Sequence, residues 1–411
     1  MTTAPLHLAV ALDGAGWHPA AWRDPAANPR ELFTARHWAK LVAEAERGLL
    51  DFVTIEDALG LQSTLFDGPD DRVDQVRGRF DAVLLAAAVA PLTSRIGLIP
   101  TATTTHTEPF HVANGIATLD HVSRGRAGWR VQISGRRSEA AHFGRRELPP
   151  FDLRDLSGAE ELFDEAADAV EVARRLWDSW EDDAEIRDVA TGRFIDRDKL
   201  HYIDFSGRWF SVKGPSITPR PPQGQPIVAV LDHGGVGEPY RLPARAADVV
   251  FVTPRDRDDA AAIVRRVRAH PRDGEPLQIF ADLLVFVGAD AEGRKARLDE
   301  LAGAELTSDA KIFAGTAEDL ADLLLDWREA GIEGFRLRPG AVPADLKGIA
   351  RGVTAALRRR GAFRDEYGAA TLRGLLGLPR PANRYALAAA PTTASPVSPA
   401  VPPQAVPGRL S

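Results

Sequence analysis

The chain of 411 residues exceeds an average domain and suits one elaborated α/β barrel. Hydrophobic residues make up 44%, enough for a large core, and a net charge of −7 argues against a nucleic-acid-binding surface. The absence of cysteine excludes disulfides, thiolate metal sites and thiol nucleophiles.

No basic segment followed by an apolar stretch opens the chain, and no apolar run reaches the ~20 residues of a membrane helix. A cytoplasmic protein without membrane contact is expected. Residues 6–12 read as a strand, and 29–48 as a helix with Leu41, Ala45 and Leu49 at helical spacing. Residues 51–57 form a short buried strand ending in acid. Residues 80–91 are apolar on nearly every side, which predicts a deeply buried helix. Residues 95–99 and 127–133 are the third and fourth strands. Later strands fall at 226–231, 248–252, 277–287 and 334–337, with helices at 260–269, 291–304, 316–330 and 343–360. Eight strands alternating with helices indicate a (β/α)8 TIM barrel; a doubly wound sheet is the alternative, disfavoured by count and length.

A long insertion, about 136–225, separates the fourth and fifth strands. It contains a helix at 157–180 with Leu162, Ala166, Ala169, Ala173 and Leu176 on one face. A hairpin of 200–205 and 208–212 about Gly207 follows. Such an insertion is expected to close over the barrel mouth. The barrel domain is assigned to 1–385. The Ala/Pro/Ser/Thr/Val-rich tail at 386–411 is expected to be disordered.

The densest stretch is Gly97-Leu98-Ile99-Pro100-Thr101-Ala102-Thr103-Thr104-Thr105-His106-Thr107-Glu108-Pro109-Phe110. An apolar strand ends there in hydroxyls and a histidine before a helix opens at Glu108-Pro109. Parallel α/β folds bind small molecules at such strand ends. No His-Glu-x-x-His spacing occurs, so no metal site is expected, and no Gly-x-Ser-x-Gly nucleophile motif is present.

Several segments together resemble the luciferase-like flavin-dependent monooxygenase superfamily, in particular its nitrilotriacetate/dibenzothiophene-sulfone monooxygenase group. They are Trp17-His18-Pro19-Ala20-Ala21-Trp22-Arg23, Phe52 to Asp57, Leu119-Asp120-His121-Val122-Ser123-Arg124-Gly125-Arg126-Ala127-Gly128-Trp129, Leu176-Trp177-Asp178-Ser179-Trp180, and Gly207 to Pro226. The resemblance implies a two-component FMN-dependent monooxygenase. Reduced FMN would come from a separate NAD(P)H:flavin reductase, and molecular oxygen would oxidise a small organic substrate through a C4a-peroxyflavin. It also implies a homodimer or homotetramer.

The same resemblance assigns Asp57, Thr103 and Thr105 to the flavin ring. His18, His106 and Ser134 are assigned to the reacting oxygen or substrate, and Gly234, Gly235 and Gly237 to the phosphate. Asp120 and His121, although specific to the group, read as bracing for the turn before the fourth strand. Arg136 and Arg137 read as solvated.

Three positions depart from the group's pattern. In Gly128-Trp129-Arg130-Val131-Gln132-Ile133-Ser134, Arg130 replaces an Asn and is assigned as a helper at the phosphate or an anionic substrate. Phe163 replaces a Tyr. The phosphate loop reads Leu231-Asp232-His233-Gly234-Gly235-Val236-Gly237-Glu238-Pro239, without its Ser and with an opposing Glu238. A glycine-rich turn can still hold phosphate through backbone N–H groups. Two other readings stay open: an F420-dependent oxidoreductase on the same barrel, and a non-catalytic relative without cofactor.

Overall fold

Eight parallel strands follow one another around a closed ring in the computed structural model, which describes residues 6–149, 157–232 and 240–388. In chain order the strands are β1 (His7–Leu12), β2 (Phe52–Ile55), β3 (Gly97–Thr103) and β4 (Gly128–Gln132). Next come β5 (Glu185–Asp188), β6 (Arg193–Ile195), β7 (Phe205–Ser206) and β8 (Ser211–Val212). The last five are β9 (Ile227–Leu231), β10 (Val249–Val252), β11 (Gln278–Val287), β12 (Lys311–Gly315) and β13 (Gly334–Pro339). The ring runs β1-β2-β3-β4-β9-β10-β11-β13, and β13 pairs back onto β1 with Gly334 opposite His7. This is the (β/α)8 barrel read from the sequence.

The outer layer is α1 (Ala35–Arg47), α2 (Ala82–Val89), α3 (Pro109–Ser123), α4 (Arg137–Ala141), α5 (Ser157–Asp178), α6 (Arg241–Ala246), α7 (Arg257–Ala269), α8 (Ala291–Ala302) and α9 (Ala317–Glu329). Four short helices end the described chain: α10 (Ala344–Lys347), α11 (Thr354–Arg359), α12 (Leu372–Leu375) and α13 (Arg384–Ala388). Between β4 and β9 lie α4, α5 and the two hairpins β5-β6 and β7-β8. Ala166, Ala169, Val170, Ala173 and Leu176 of α5 are buried, the stripe expected of an amphipathic helix.

Several boundaries differ from the sequence reading. The helix at 29–48 splits, because Thr34 is extended and its side chain caps α1 by accepting from His37 N. The third strand starts at Gly97 rather than 95, since Glu46 Oε1 collects the amides of Ser94, Arg95 and Ile96 in a turn. α2 is not buried all round. Ala82, Leu85, Ala86 and Val89 face the barrel, whereas Leu84 is 70% exposed. A helix on the outside of a barrel has only one face to bury, whatever its composition. The hairpin about Gly207 pairs only Phe205–Ser206 with Ser211–Val212. Unread in the sequence were the β5-β6 hairpin, β12, which lies parallel to the far half of β11, and the short helices α4, α6, α12 and α13. α13 runs to Ala388, and the tail beyond it lies outside the described residues.

The barrel interior is layered. At its N-terminal end Phe52, Ile99, Ile227, Val249 and Phe280 meet Leu372 and Leu376 of the C-terminal segment, which plug the opening. Gly97 faces that plug closely: a Cβ there would lie 2.6 Å from Leu372 Cδ1. Above this apolar layer stand Thr54, Thr101, Arg130, Asp282, Arg336 and Arg338, all buried. Glu56 joins them at the top, and the open end lies beyond.

Candidate active site at the barrel mouth

A cavity of 600 Å³ opens where β1, β2, β4 and β9 end. Volumes of this order suit a cofactor or drug-sized ligand. Val230, Leu231, Leu242 and Phe163 supply apolar wall; Asp57, Gln132, Ser134 and Arg136 supply polar groups. Phe163 comes from α5, so the insertion contributes directly to the wall. Trp17 enters from the loop after β1. Its Nε1 donates to Ala11 O at 2.8 Å, and the Arg338 guanidinium lies 4.6 Å over its ring.

The cavity floor is charged but internally paired. Arg130 Nη2 donates to Glu56 Oε2 at 2.7 Å and to Gln132 Oε1 at 2.9 Å, and its Nε donates to Thr101 Oγ1 at 2.7 Å. Arg336 Nη1 reaches Glu56 Oε1 at 3.1 Å, and its Nε donates to Asp282 Oδ1 at 2.7 Å. Arg338 donates to Asp282 and, at 2.6 Å, to Asp309 Oδ1. Burial opposes the charge of Glu56, but Arg130, then Arg336 and Arg338, hold its carboxyl below the usual range. Burial lowers Arg130 to about 10 despite Glu56. At the rim Arg79 Nη2 lies 3.2 Å from Asp13 Oδ2. Burial raises the Asp13 carboxyl; Arg79 works against the rise and Glu56 adds to it. Arg79 Nε is buried without a hydrogen-bond partner among the described residues, an orphan donor beside the cavity.

The structure brings some of the expected residues to the cavity and sets others apart. Asp57 lines it, with Oδ1 accepting from Ala58 N at 2.8 Å and Oδ2 from Ala82 N at 2.9 Å. Its carboxyl is raised by burial, while those two amides pull it back. Ser134 lines the cavity too. Its amide donates to Thr105 Oγ1 at 3.0 Å, and its Oγ accepts from Arg136 N at 3.3 Å. Thr105 therefore acts behind Ser134. Thr103 is buried behind the wall, its carbonyl accepting from Thr107 Oγ1 at 2.5 Å. Arg130 reaches the cavity with its charge committed to Glu56, not as a free cation for an anion. Gly234, Gly235 and Gly237 lie outside the described residues.

The two histidines are placed differently. Neither His18 nor His106 lines the cavity, and each is held by its own surroundings. For His18 the partners are polar. Its Nδ1 accepts from Ala20 N at 3.0 Å, which puts the proton on Nε2, 3.1 Å from Asp299 Oδ1. His106 sits at φ +72, a left-handed conformation rarely adopted by residues other than glycine, and stacks on Phe143 at 5.7 Å. Its Nε2 is buried without a hydrogen-bond partner among the described residues. Burial, then Arg146, lowers its pKa, with Glu139 opposing. Asp120 has a wholly internal role. It accepts from Ala127 N, Gln223 N and Gln223 Nε2, tying the turn before β4 to the insertion.

Asp13, Glu56 and Arg79 were not singled out from sequence. Glu56 stands beside Asp57 at the end of a buried strand, a position that could have marked it. Arg79 sits in a long irregular loop with no local signal. Among the described residues no cluster of three or more His, Asp or Glu side chains could hold a metal ion, and no helix is long and apolar enough to cross a membrane.

A family model described as luciferase-like monooxygenase matches residues 15–333. N-acetyl-S-(2-succino)cysteine monooxygenase of Bacillus subtilis (strain 168) is 31% identical over 93% of this chain and 98% of its own length. Nitrilotriacetate monooxygenase component A of Aminobacter aminovorans is 30% identical, covering 90% of this chain and 96% of its own. The crystal structure of a riboflavin lyase, with modified FMN and the substrate riboflavin, matches with a TM-score of 0.79 at 25% identity. That match covers 92% of this chain and 97% of the lyase.

Proposed function

Because the chain belongs to the luciferase-like monooxygenase family, we propose that it takes reduced FMN into the mouth cavity and oxygenates a small organic substrate there. Its named relatives across most of the chain are monooxygenases. The observation that carries the reading is the cavity itself: an apolar wall with a few fixed polar groups at the end of a barrel where such folds bind cofactors. One relative is named as a component A, which supports supply of reduced flavin by a separate reductase.

The residues present suit a flavin. Val230, Leu231, Leu242 and Phe163 offer apolar surface for a flat ring system and exclude water from it. Ser134 Oγ already accepts one amide, leaving its hydroxyl hydrogen for an acceptor on a ring edge. The orphan Arg79 Nε adds a buried donor that a bound group would satisfy. Asp57 orders the loop at the wall through Ala58 and Ala82. His106 does not line the cavity, and it is kept as a ligand contact only through its buried Nε2, which has no hydrogen-bond partner among the described residues; burial favours its neutral form. Gly234, Gly235 and Gly237 remain the proposed phosphate cradle. Bound reduced flavin supplies the electrons that activate oxygen; the protein supplies position and a dry enclosure.

Anaerobic titration with reduced FMN tests the reading, with F420 in parallel and oxygen uptake followed afterwards. Micromolar or tighter binding of reduced FMN, then oxygen consumption raised by a substrate, is the expected result. Binding of F420 alone would move the protein to hydride transfer, and binding of neither would overturn a cofactor site in this cavity.

A further inference from the structure

A second cavity, of 830 Å³, lies at the opposite end of the barrel, below the starts of β9, β10 and β11. At its centre two guanidinium groups flank one carboxylate, and a third, Arg272, lines the same cavity. Arg174 of α5 donates to Asp248 Oδ2 at 3.0 Å, and Arg373 of α12 stands 3.4 Å from Asp248 Oδ1. Asp248 Oδ2 also accepts from Val228 N at 2.9 Å. Among the described residues Arg272 bonds no carboxylate. Its donors go to the carbonyl oxygens of Glu275 at 2.7 Å, Ala244 at 3.1 Å and Pro243 at 3.4 Å. Arg241 and Arg245 of α6 stand at the rim, half exposed, with Asp164 and Asp168 as their partners. The acids at the opening, Asp273 and Glu275, are exposed, and Asp178 is engaged by Arg220 and Arg384.

Three partly or fully desolvated cations against one carboxylate leave an excess of positive charge at the centre. Gathering like charges in such a place is costly unless an anion offsets them. The repulsion shows at Arg272: burial lowers its pKa, Asp248 opposes, and Arg174, Arg268 and Arg373 lower it further. Guanidinium forks match phosphate oxygens two at a time. We propose that this cavity is a second binding site, for a phosphate ligand of diphosphate size, separate from the mouth. The site shares α5 with the mouth: Phe163 walls one cavity and Arg174 the other, about 16 Å apart along the helix. An anion held by Arg174 therefore clamps the helix that forms part of the mouth.

Calorimetric titration of the full chain with sodium pyrophosphate tests this, at ionic strength held constant with sodium chloride and with FMN present at saturation. Saturable one-to-one binding is expected, weakened about tenfold in R272Q, with oxygen consumption at the mouth unchanged. Should R272Q fail to fold by circular dichroism, R245Q at the exposed rim is expected to weaken binding severalfold. Inorganic phosphate and ADP run in parallel: ADP tighter than pyrophosphate identifies a nucleotide, and equal affinity identifies the diphosphate group alone. Absence of saturable heat with FMN bound, or undiminished binding in the folded variant, would each overturn the proposal.

Discussion

Arg130 Nη2 donates to Glu56 Oε2 at 2.7 Å, and this pair forms the floor on which the mouth cavity rests. In the group this chain resembles, an Asn stands at the position of Arg130. The arginine fills a place among Thr101, Glu56 and Gln132 that a shorter side chain leaves empty. Removing it strands a buried carboxylate, although Arg336 still reaches Glu56 at 3.1 Å. R130N should therefore cost about 3 kcal/mol, the lower end for breaking a buried ion pair. Guanidinium chloride unfolding measures it. A loss under about 1 kcal/mol would mean that Arg336 alone neutralises Glu56.

Phe163 is the other departure that faces the cavity. Since it lines the wall and is only partly buried, F163Y adds a hydroxyl without forcing a repacking of the core. The variant should bind reduced FMN several-fold more tightly, a gain of about 1 kcal/mol for one added hydrogen bond, with an unchanged melting temperature. Equal affinity in the anaerobic titration would show that the ring does not approach this position.

Trp17 owes its place over the mouth to the glycine before it. Gly16 sits at φ +130, and a Cβ there would lie 2.4 Å from Gly340 O. The next amides, Trp17 N and His18 N, then donate to Pro339 O and Gly340 O, each at 2.9 Å. G16A must move this backbone off β13 and should cost about 3 kcal/mol or more. It should also blue-shift tryptophan fluorescence less on flavin binding than the parent does, since Trp17 no longer lines the cavity. A variant with parental stability would show that the loop has slack.

The barrel was legible because each central strand is a short apolar run between turn signals, as at Phe52-Val53-Thr54-Ile55 and Ile227-Val228-Ala229-Val230-Leu231. β12 was not. Its partner is the far half of the ten-residue β11, and that pairing leaves no local pattern in Lys311-Ile312-Phe313-Ala314-Gly315. The site divides the same way. Asp57 and Ser134 follow strand ends, so topology alone carries them to the mouth. What each side chain meets there is set by residues far along the chain. His18 is held by Asp299, and Arg130, read as a helper at a phosphate or anionic substrate, is paired with Glu56.

His106 gives a pH signature. Its pKa in the folded protein lies below the ordinary 6.5, chiefly through burial, while the unfolded chain keeps the ordinary value. The unfolded state thus binds more protons between the two values, and stability rises with pH there. The contribution is fully present above about pH 6.5 and is lost as pH falls through the lowered value. His18 and His37, also lowered by burial, act with the same sign. In H106N, whose Asn tolerates the left-handed backbone, the slope of stability against pH in this window should become shallower, with no change above pH 7. Urea unfolding at half-unit steps from pH 5 to pH 8 measures both proteins. Superimposable slopes would show that His106 is more hydrated than its buried Nε2 indicates.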